Sequence, residues 1–115
     1  MLALNFISPH NEKLLLDRKK NVTIRLSDIR TIYPENSIVS ITVGDTFTPR
    51  KYLYTAIIDK VHVKRFSELT TQDLSQQNPN IKNVDELIVF FEKTYQRTMH
   101  IDDTVSVIHF SEVVE

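Results

Sequence analysis

The run from Tyr52 to Phe66 (YLYTAIIDKVHVKRF) restricts the possible folds more than any other stretch. It is long for a strand, and around Ile57-Ile58-Asp59 both alternating faces become apolar. A β-bulge or barrel corner there lets one strand serve two parts of a sheet. The preceding run, Ser37 to Val43, places Val39, Ile41 and Val43 on one face. Thr48-Pro49-Arg50-Lys51 then separates the two runs, which together read as a hairpin. Gly44 is the chain's single glycine, where average usage gives about eight in a chain of this size. Turns must therefore rely on Asn, Asp and Pro, and a glycine-rich phosphate loop is excluded.

The remaining elements follow the same local logic. Leu2-Ala3-Leu4-Asn5-Phe6 reads as a short strand. Ser8 as N-cap and Pro9 as first helical residue open a helix to about Asp17, with Leu14, Leu15 and Leu16 as its buried surface. Val22, Ile24 and Leu26 fall on one face of a second strand. Residues 27–36 form a partly apolar loop that packs back near the Asp17 to Arg25 stretch. Ser67 to Asn78 holds a short helical segment. Asn83 with Glu86 three positions on opens the strongest helix, whose Val84, Leu87, Ile88, Phe91 and Tyr95 recur at helical spacing as a core stripe. Thr104 to Phe110, apolar on both faces at Val107-Ile108, reads as an interior strand. Strands that carry most of the core, with helices covering openings, imply an α+β fold built on a small mixed β-barrel.

At 115 residues the chain makes one domain, 1–115, without repeats or linkers. No apolar run approaches the roughly 20 residues that span a bilayer, and no signal-peptide pattern opens the chain, so the expected location is cytoplasmic. Without cysteine there is no disulfide scaffold, thiolate metal site or cysteine nucleophile. The net charge of -1 hides a division: residues 1–65 carry +5 and residues 66–115 carry -6. A basic face follows if the halves segregate in space; otherwise the fold interleaves them. His10, His62, His100 and His109 lack helical His-x-x-x-His spacing, so no metal site is expected. His109 reads as a sheet residue, and His100-Ile101-Asp102-Asp103 as a polar turn.

Candidate chemistry concentrates in Asp17-Arg18-Lys19-Lys20-Asn21-Val22-Thr23-Ile24-Arg25. With Val22 and Ile24 on one face, Thr23 and Arg25 project together from the other. Lys20 precedes the strand, where alternation no longer sets its direction. A hydroxyl is a poor nucleophile until a base accepts its proton, and a lysine of depressed pKa is such a base. Arg18 stays protonated, whereas Lys19 and Lys20 are crowded by Arg18 and Arg25, which disfavours their charged forms. The same residues also read as a solvated basic turn or as an anion-binding patch.

Lys20 to Arg25 (KNVTIR), Phe66-Ser67-Glu68-Leu69-Thr70, the helix ending in Tyr95 and the closing Asp103 to Phe110 occur in an order that resembles an ASCH domain across nearly the whole chain. The resemblance implies a PUA-like β-barrel with two or three flanking helices. It also implies RNA binding in a cleft bordered by the basic motif. Within that family, enzymes that hydrolyse acetylcytidine pair a Lys and a Thr in a K-x-x-T-I-R motif, matched here by Lys20, Thr23, Ile24 and Arg25. Their glutamate after the Leu-Thr segment falls on Gln77, which cannot exchange a proton, so that role is lost or moves to Asp73. The family's glycine two positions before the motif Lys falls on Arg18, which adopts positive φ less readily.

The favoured reading is an RNA- or nucleotide-binding domain in which Lys19, Lys20 and Arg25, with Arg18 in support, hold phosphate and Thr23 bonds a base or sugar. The alternative is an amidohydrolase on an acylated nucleoside, with Lys20 as base and Thr23 as nucleophile. A third reading is a protein-interaction domain that uses the acidic second half. No cofactor and no membrane partner are expected.

Overall fold

In the computed structural model, which describes residues 2–7, 10–45 and 47–114, the strand order is β1-β3-β4-β5-β2. The strands are β1 (Leu2–Phe6), β2 (Val22–Leu26), β3 (Ile38–Val43), β4 (Lys51–Arg65) and β5 (Thr104–Glu112). Strand β4 is the long central one, and its register against β5 shifts between Ile58 and Lys60, leaving Asp59 as the bulge. Its first half pairs with β3 and its second with β5, the division of labour expected of a strand whose buried face changes. Strand β1 runs parallel to β3, and the other pairings are antiparallel. The sheet curls until its two edge strands, β1 and β2, face each other across a seam, where the Arg25 guanidinium donates to the Asn5 carbonyl at 2.8 Å. The result is a mixed half-barrel of α+β type, as the sequence predicts.

Three α-helices flank it among the described residues: α1 (His10–Leu16), α2 (Thr71–Gln77) and α3 (Val84–Tyr95), with a 3₁₀ turn at Phe66–Glu68. Two cores result because β5 is buried on both faces. Ile108 and Phe110 point into the barrel with Leu4, Phe6, Val39, Ile41 and Ile58. Val105 and Val107 point outward with Val22 and Ile24, beneath Phe66, Leu74, Leu87 and Phe91. The outer core therefore fixes α2 and α3 over β2.

Local signals set the helix ends. The Thr70 hydroxyl accepts from Asp73 N, and the Asp73 carboxylate accepts from Thr70 N, a reciprocal cap for α2. Asn83 caps α3 through Glu86 N, while the Glu86 carboxylate accepts from Lys82 N instead of completing a box on Asn83. Gln96, in left-handed backbone at φ 53°, stops α3 without a glycine. Gly44 is needed where it stands: a Cβ there would lie 2.9 Å from Arg50 Cα.

Several expectations change. The cap assigned to Ser8 and Pro9 lies outside the described residues. Helix α1 ends at Leu16, and of its three leucines Leu15 is buried while Leu16 is about half exposed. Arg18, which the sequence disfavours at positive φ, adopts φ 58°, held by stacking over Tyr54 at 3.9 Å and by a 2.8 Å ion pair with Glu112. That pair also joins the basic half of the chain to the acidic half. The 27–36 loop packs on the inner core beside β1, with Tyr33 donating to the Ala3 carbonyl, and of the Asp17 to Arg25 stretch it comes near Arg25. His100 to Asp103 is the expected polar turn. No helix among the described residues is long and apolar enough to cross a membrane.

Candidate functional site

The seam between β1 and β2 opens into a cavity of about 440 Å³. Asn5 and Phe6 contribute from β1, Thr23 and Arg25 from β2, Gln77 and Asn78 from the end of α2, and Phe90, Phe91, Thr94 and Tyr95 from α3, with His10 and Asn11 at the rim. Strand parity accounts for the β2 contribution. Val22 and Ile24 anchor in the outer core, so Thr23 and Arg25 turn inward on the face of their cross-strand partners Ile108 and Ser106.

Arg25 organises the floor. Its Nε donates to Thr23 Oγ1 at 3.3 Å, its second terminal nitrogen bridges to the Asn5 carbonyl, and its guanidinium lies 4.8 Å from the centre of the Phe6 ring. Burial pushes its pKa down, opposed by nearby Tyr33 and Tyr95. Thr23 is buried, and its hydroxyl proton is bonded to none of the described residues. Both ends of the Asn5 carboxamide are engaged: its amide donates to the Gly44 carbonyl and its side-chain oxygen accepts from Thr42.

Lys20 is 4% exposed and stands behind the cavity wall instead of lining it. Its ammonium donates to the Gln77 backbone carbonyl and lies 5.9 Å from the centre of the Phe6 ring. Burial first, and the charge on Arg25 second, lower its pKa from 10.5 to about 8. Gln77 therefore meets the motif twice, since its side-chain Oε1 also accepts from Ile24 N at 2.7 Å. That bond orients the carboxamide, whose NH₂ group has no hydrogen bond among the described residues.

The other sequence candidates stand apart. Arg18 is spent on Glu112 and Tyr54, outside the cavity. Lys19 is exposed and borders a separate depression beside Leu14 and Asp17. Asp73 is buried but engaged by Lys64 at 2.7 Å and by the Thr70 cap, and it does not line the cavity. His109 is a sheet residue whose ring meets His62 edge-on.

Sequence reasoning missed Asn5, Phe6, Phe90 and Thr94, and it assigned Tyr95 to the core. Leu87 and Phe91 are buried, whereas Phe90 and Tyr95 are 43% and 47% exposed and form the aromatic wall. The one available signal was the Phe90-Phe91 pair, which puts an aromatic residue off the apolar stripe.

No protein-family model matches the chain, and no curated protein matches it. Solved structures do match. Protein EF3133 from Enterococcus faecalis V583, of the family DUF984, superposes with a TM-score of 0.70 at 14% identity, covering 98% of this chain and 81% of its own. An ASCH domain from Lactobacillus crispatus JV V101 gives 0.63 at 11% identity, covering 96% and 77%. The hypothetical protein PH0355 gives 0.63 at 14% identity, covering 96% of this chain and all of its own. The chain has the fold of ASCH domains, and at these identities the likeness concerns the fold alone.

Proposed function

We propose that the seam cavity binds a nucleotide unit, free or within RNA, in a cytoplasmic protein. The observation that carries this reading is the mixed lining of aromatic and hydrogen-bonding side chains. Phe90 and Tyr95 of α3 offer aromatic surface, and β2 with the end of α2 brings the hydrogen-bonding groups of Thr23, Arg25, Gln77 and Asn78. A flat, polar-edged base suits such walls, because stacking serves any base while edge bonds orient it. The volume suits one small ligand. Arg25 supplies charge, Thr23 a hydroxyl donor, and Lys20 supports both from behind. Lys19 at the outer rim of the basic turn adds only long-range attraction.

Titration of labelled short RNAs and mononucleotides by fluorescence anisotropy tests the reading. Affinity should fall with added salt, and Arg25→Ala or Tyr95→Ala should weaken it by roughly tenfold each. Salt-insensitive or absent binding defeats it.

The depressed pKa of Lys20 favours a second reading, hydrolysis of an acylated nucleoside such as acetylcytidine. Neutral Lys20 would take the Thr23 proton as Thr23 attacks the acyl carbonyl and return it to the cytidine N4 as the acyl C–N bond breaks, and water would then hydrolyse the Thr23 ester to release acetate and restore the hydroxyl. That reading predicts release of cytidine and acetate, lost in Lys20→Ala and in Thr23→Ala. It ranks second because Gln77 offers no proton and the Asp73 carboxylate is committed to Lys64 and Thr70.

A further inference from the structure

Two cations share the seam, and among the described residues no carboxylate pairs with either. Lys20 is almost wholly buried and Arg25 is largely covered, yet their partners are the carbonyls of Gln77 and Asn5 and the hydroxyl of Thr23. Among the described residues neither forms an ion pair, and no Asp or Glu lines the cavity. Elsewhere the chain does compensate: Lys64 has Asp73, and Arg18 has Glu112. Two like charges held close together in a poorly solvated place repel each other and lose hydration, and neutral dipoles offset this only in part. The fold keeps both nevertheless, against the same ring of Phe6.

We infer that the missing charge belongs to the ligand, and that the cavity takes a compact oxyanion, a phosphate monoester or a carboxylate, carried on a flat ring system. The oxyanion sits against the free N–H groups of Arg25 and the Thr23 hydroxyl, with Lys20 behind, while the ring lies along Phe90 and Tyr95. This assignment rests on the nucleotide reading for its ring component, where it selects a mononucleotide or a strand-terminal phosphate over a neutral nucleoside. The charge argument itself is independent of that reading.

Anion binding should also move a proton. The groups that face Lys20 and its neighbour are Arg25 from β2, the Gln77 carbonyl from α2, the Phe6 ring from β1, Tyr33 from the 27–36 loop, Tyr95 from α3 and, at the rim, His10 from α1. A bound oxyanion would favour charged Lys20 more strongly than the neutral Gln77 carbonyl and Phe6 ring do, so its affinity should fall as pH rises above about 8. A phosphate monoester is already a dianion there, its second pKa being about 6.

Calorimetry on the full chain decides the matter, with four ribonucleosides, their 5′- and 3′-monophosphates, inorganic phosphate and benzoate as probes. A monophosphate should bind at least about tenfold more tightly than its nucleoside, in line with a charge-assisted contact. Lys20→Met and Arg25→Gln should each reduce that ratio below about threefold, with the fold checked by circular dichroism. Its decline between pH 7 and 10 should persist in His10→Gln and vanish in Lys20→Met. Benzoate or phosphate binding without any nucleoside or nucleotide would leave the oxyanion site standing and remove the nucleotide reading. Equal affinity for nucleoside and monophosphate would overturn the oxyanion site while sparing the nucleotide reading. No binding by any probe to the folded protein would overturn it as well.

Discussion

Lys20 and Lys64 are both drawn into the protein, and their surroundings could hardly differ more. Lys64 meets the Asp73 carboxylate at 2.7 Å, and that same carboxylate caps α2 through Thr70 N. Lys20 meets a backbone carbonyl, an aromatic ring and a second cation. One lysine ties α2 to β4. The other weakens the fold in exchange for a charge placed behind a cavity. A buried cation with a carboxylate is explained by structure, whereas a buried cation beside another points outward, to a ligand.

The largest expected difference is in the response to pH. For Lys20 the folded-state pKa, about 8, lies below the unfolded 10.5. Below pH 8 it is charged in both states and its burial cost is fully present. Between 8 and 10.5 the unfolded chain binds the extra proton, so stability from this group rises with pH, by roughly 3 kcal/mol over the window. Asp73 behaves in the opposite sense. Its pKa is depressed by Lys64 and the Thr70 bonds against the desolvation that would raise it, so its contribution holds above the usual 3.8 and is lost as pH falls through the folded value. Urea unfolding from pH 7 to 10.5 should show the alkaline gain in the wild type and not in Lys20→Met. Parallel curves for the two proteins would mean that Lys20 does not differ from a solvated lysine.

Next in size is the loss of the Asp73 carboxylate. Asp73→Ala strands Lys64 without a partner and removes the α2 cap, which should cost about 2 kcal/mol in the same assay at pH 7. Asp73→Asn keeps an oxygen for Thr70 N and should cost less, separating the cap from the charge. Neither substitution touches the cavity, so nucleotide affinity should change little as long as α2 stays seated. A large loss of affinity with unchanged stability would instead give Asp73 a direct part in the site.

This contrast between the two lysines was only half visible in the chain itself. Features that depend on near neighbours could be read: the alternation of Val39, Ile41 and Val43, the bulge at Asp59, the Asn83 cap, and the shared direction of Thr23 and Arg25. Each follows from a period of two residues or from a cap three positions away. The cavity depends on distant neighbours. Asn5 and Phe6 reach Arg25 because the sheet curls, Gln77 reaches Lys20 and Ile24 across more than fifty residues, and Tyr95 becomes wall instead of core because α3 overhangs the seam. Lys20 had no readable direction because it precedes the strand. Its burial follows from where α2 ends, and the pairing of Lys64 with Asp73 depends on the same placement.

The smallest effect belongs to Arg18, and it sharpens the contrast by extending it to the arginines. Arg18 is an exposed, paired cation at φ 58°, whereas Arg25 is a covered cation without a carboxylate. Arg18→Gly relieves a left-handed backbone that L side chains rarely adopt, and it forfeits both the stack on Tyr54 and the bridge to Glu112. These changes oppose one another, so the unfolding midpoint should move little. Because the Arg18 charge is spent outside the cavity, mononucleotide affinity should stay within about twofold of wild type, the scale of a screened long-range charge. Arg25→Gln measured beside it should lose the preference for the phosphate. If Arg18→Gly matched that loss, the anion would be held by the turn as a whole, and the distinction between paired and unpaired cations would no longer locate the site.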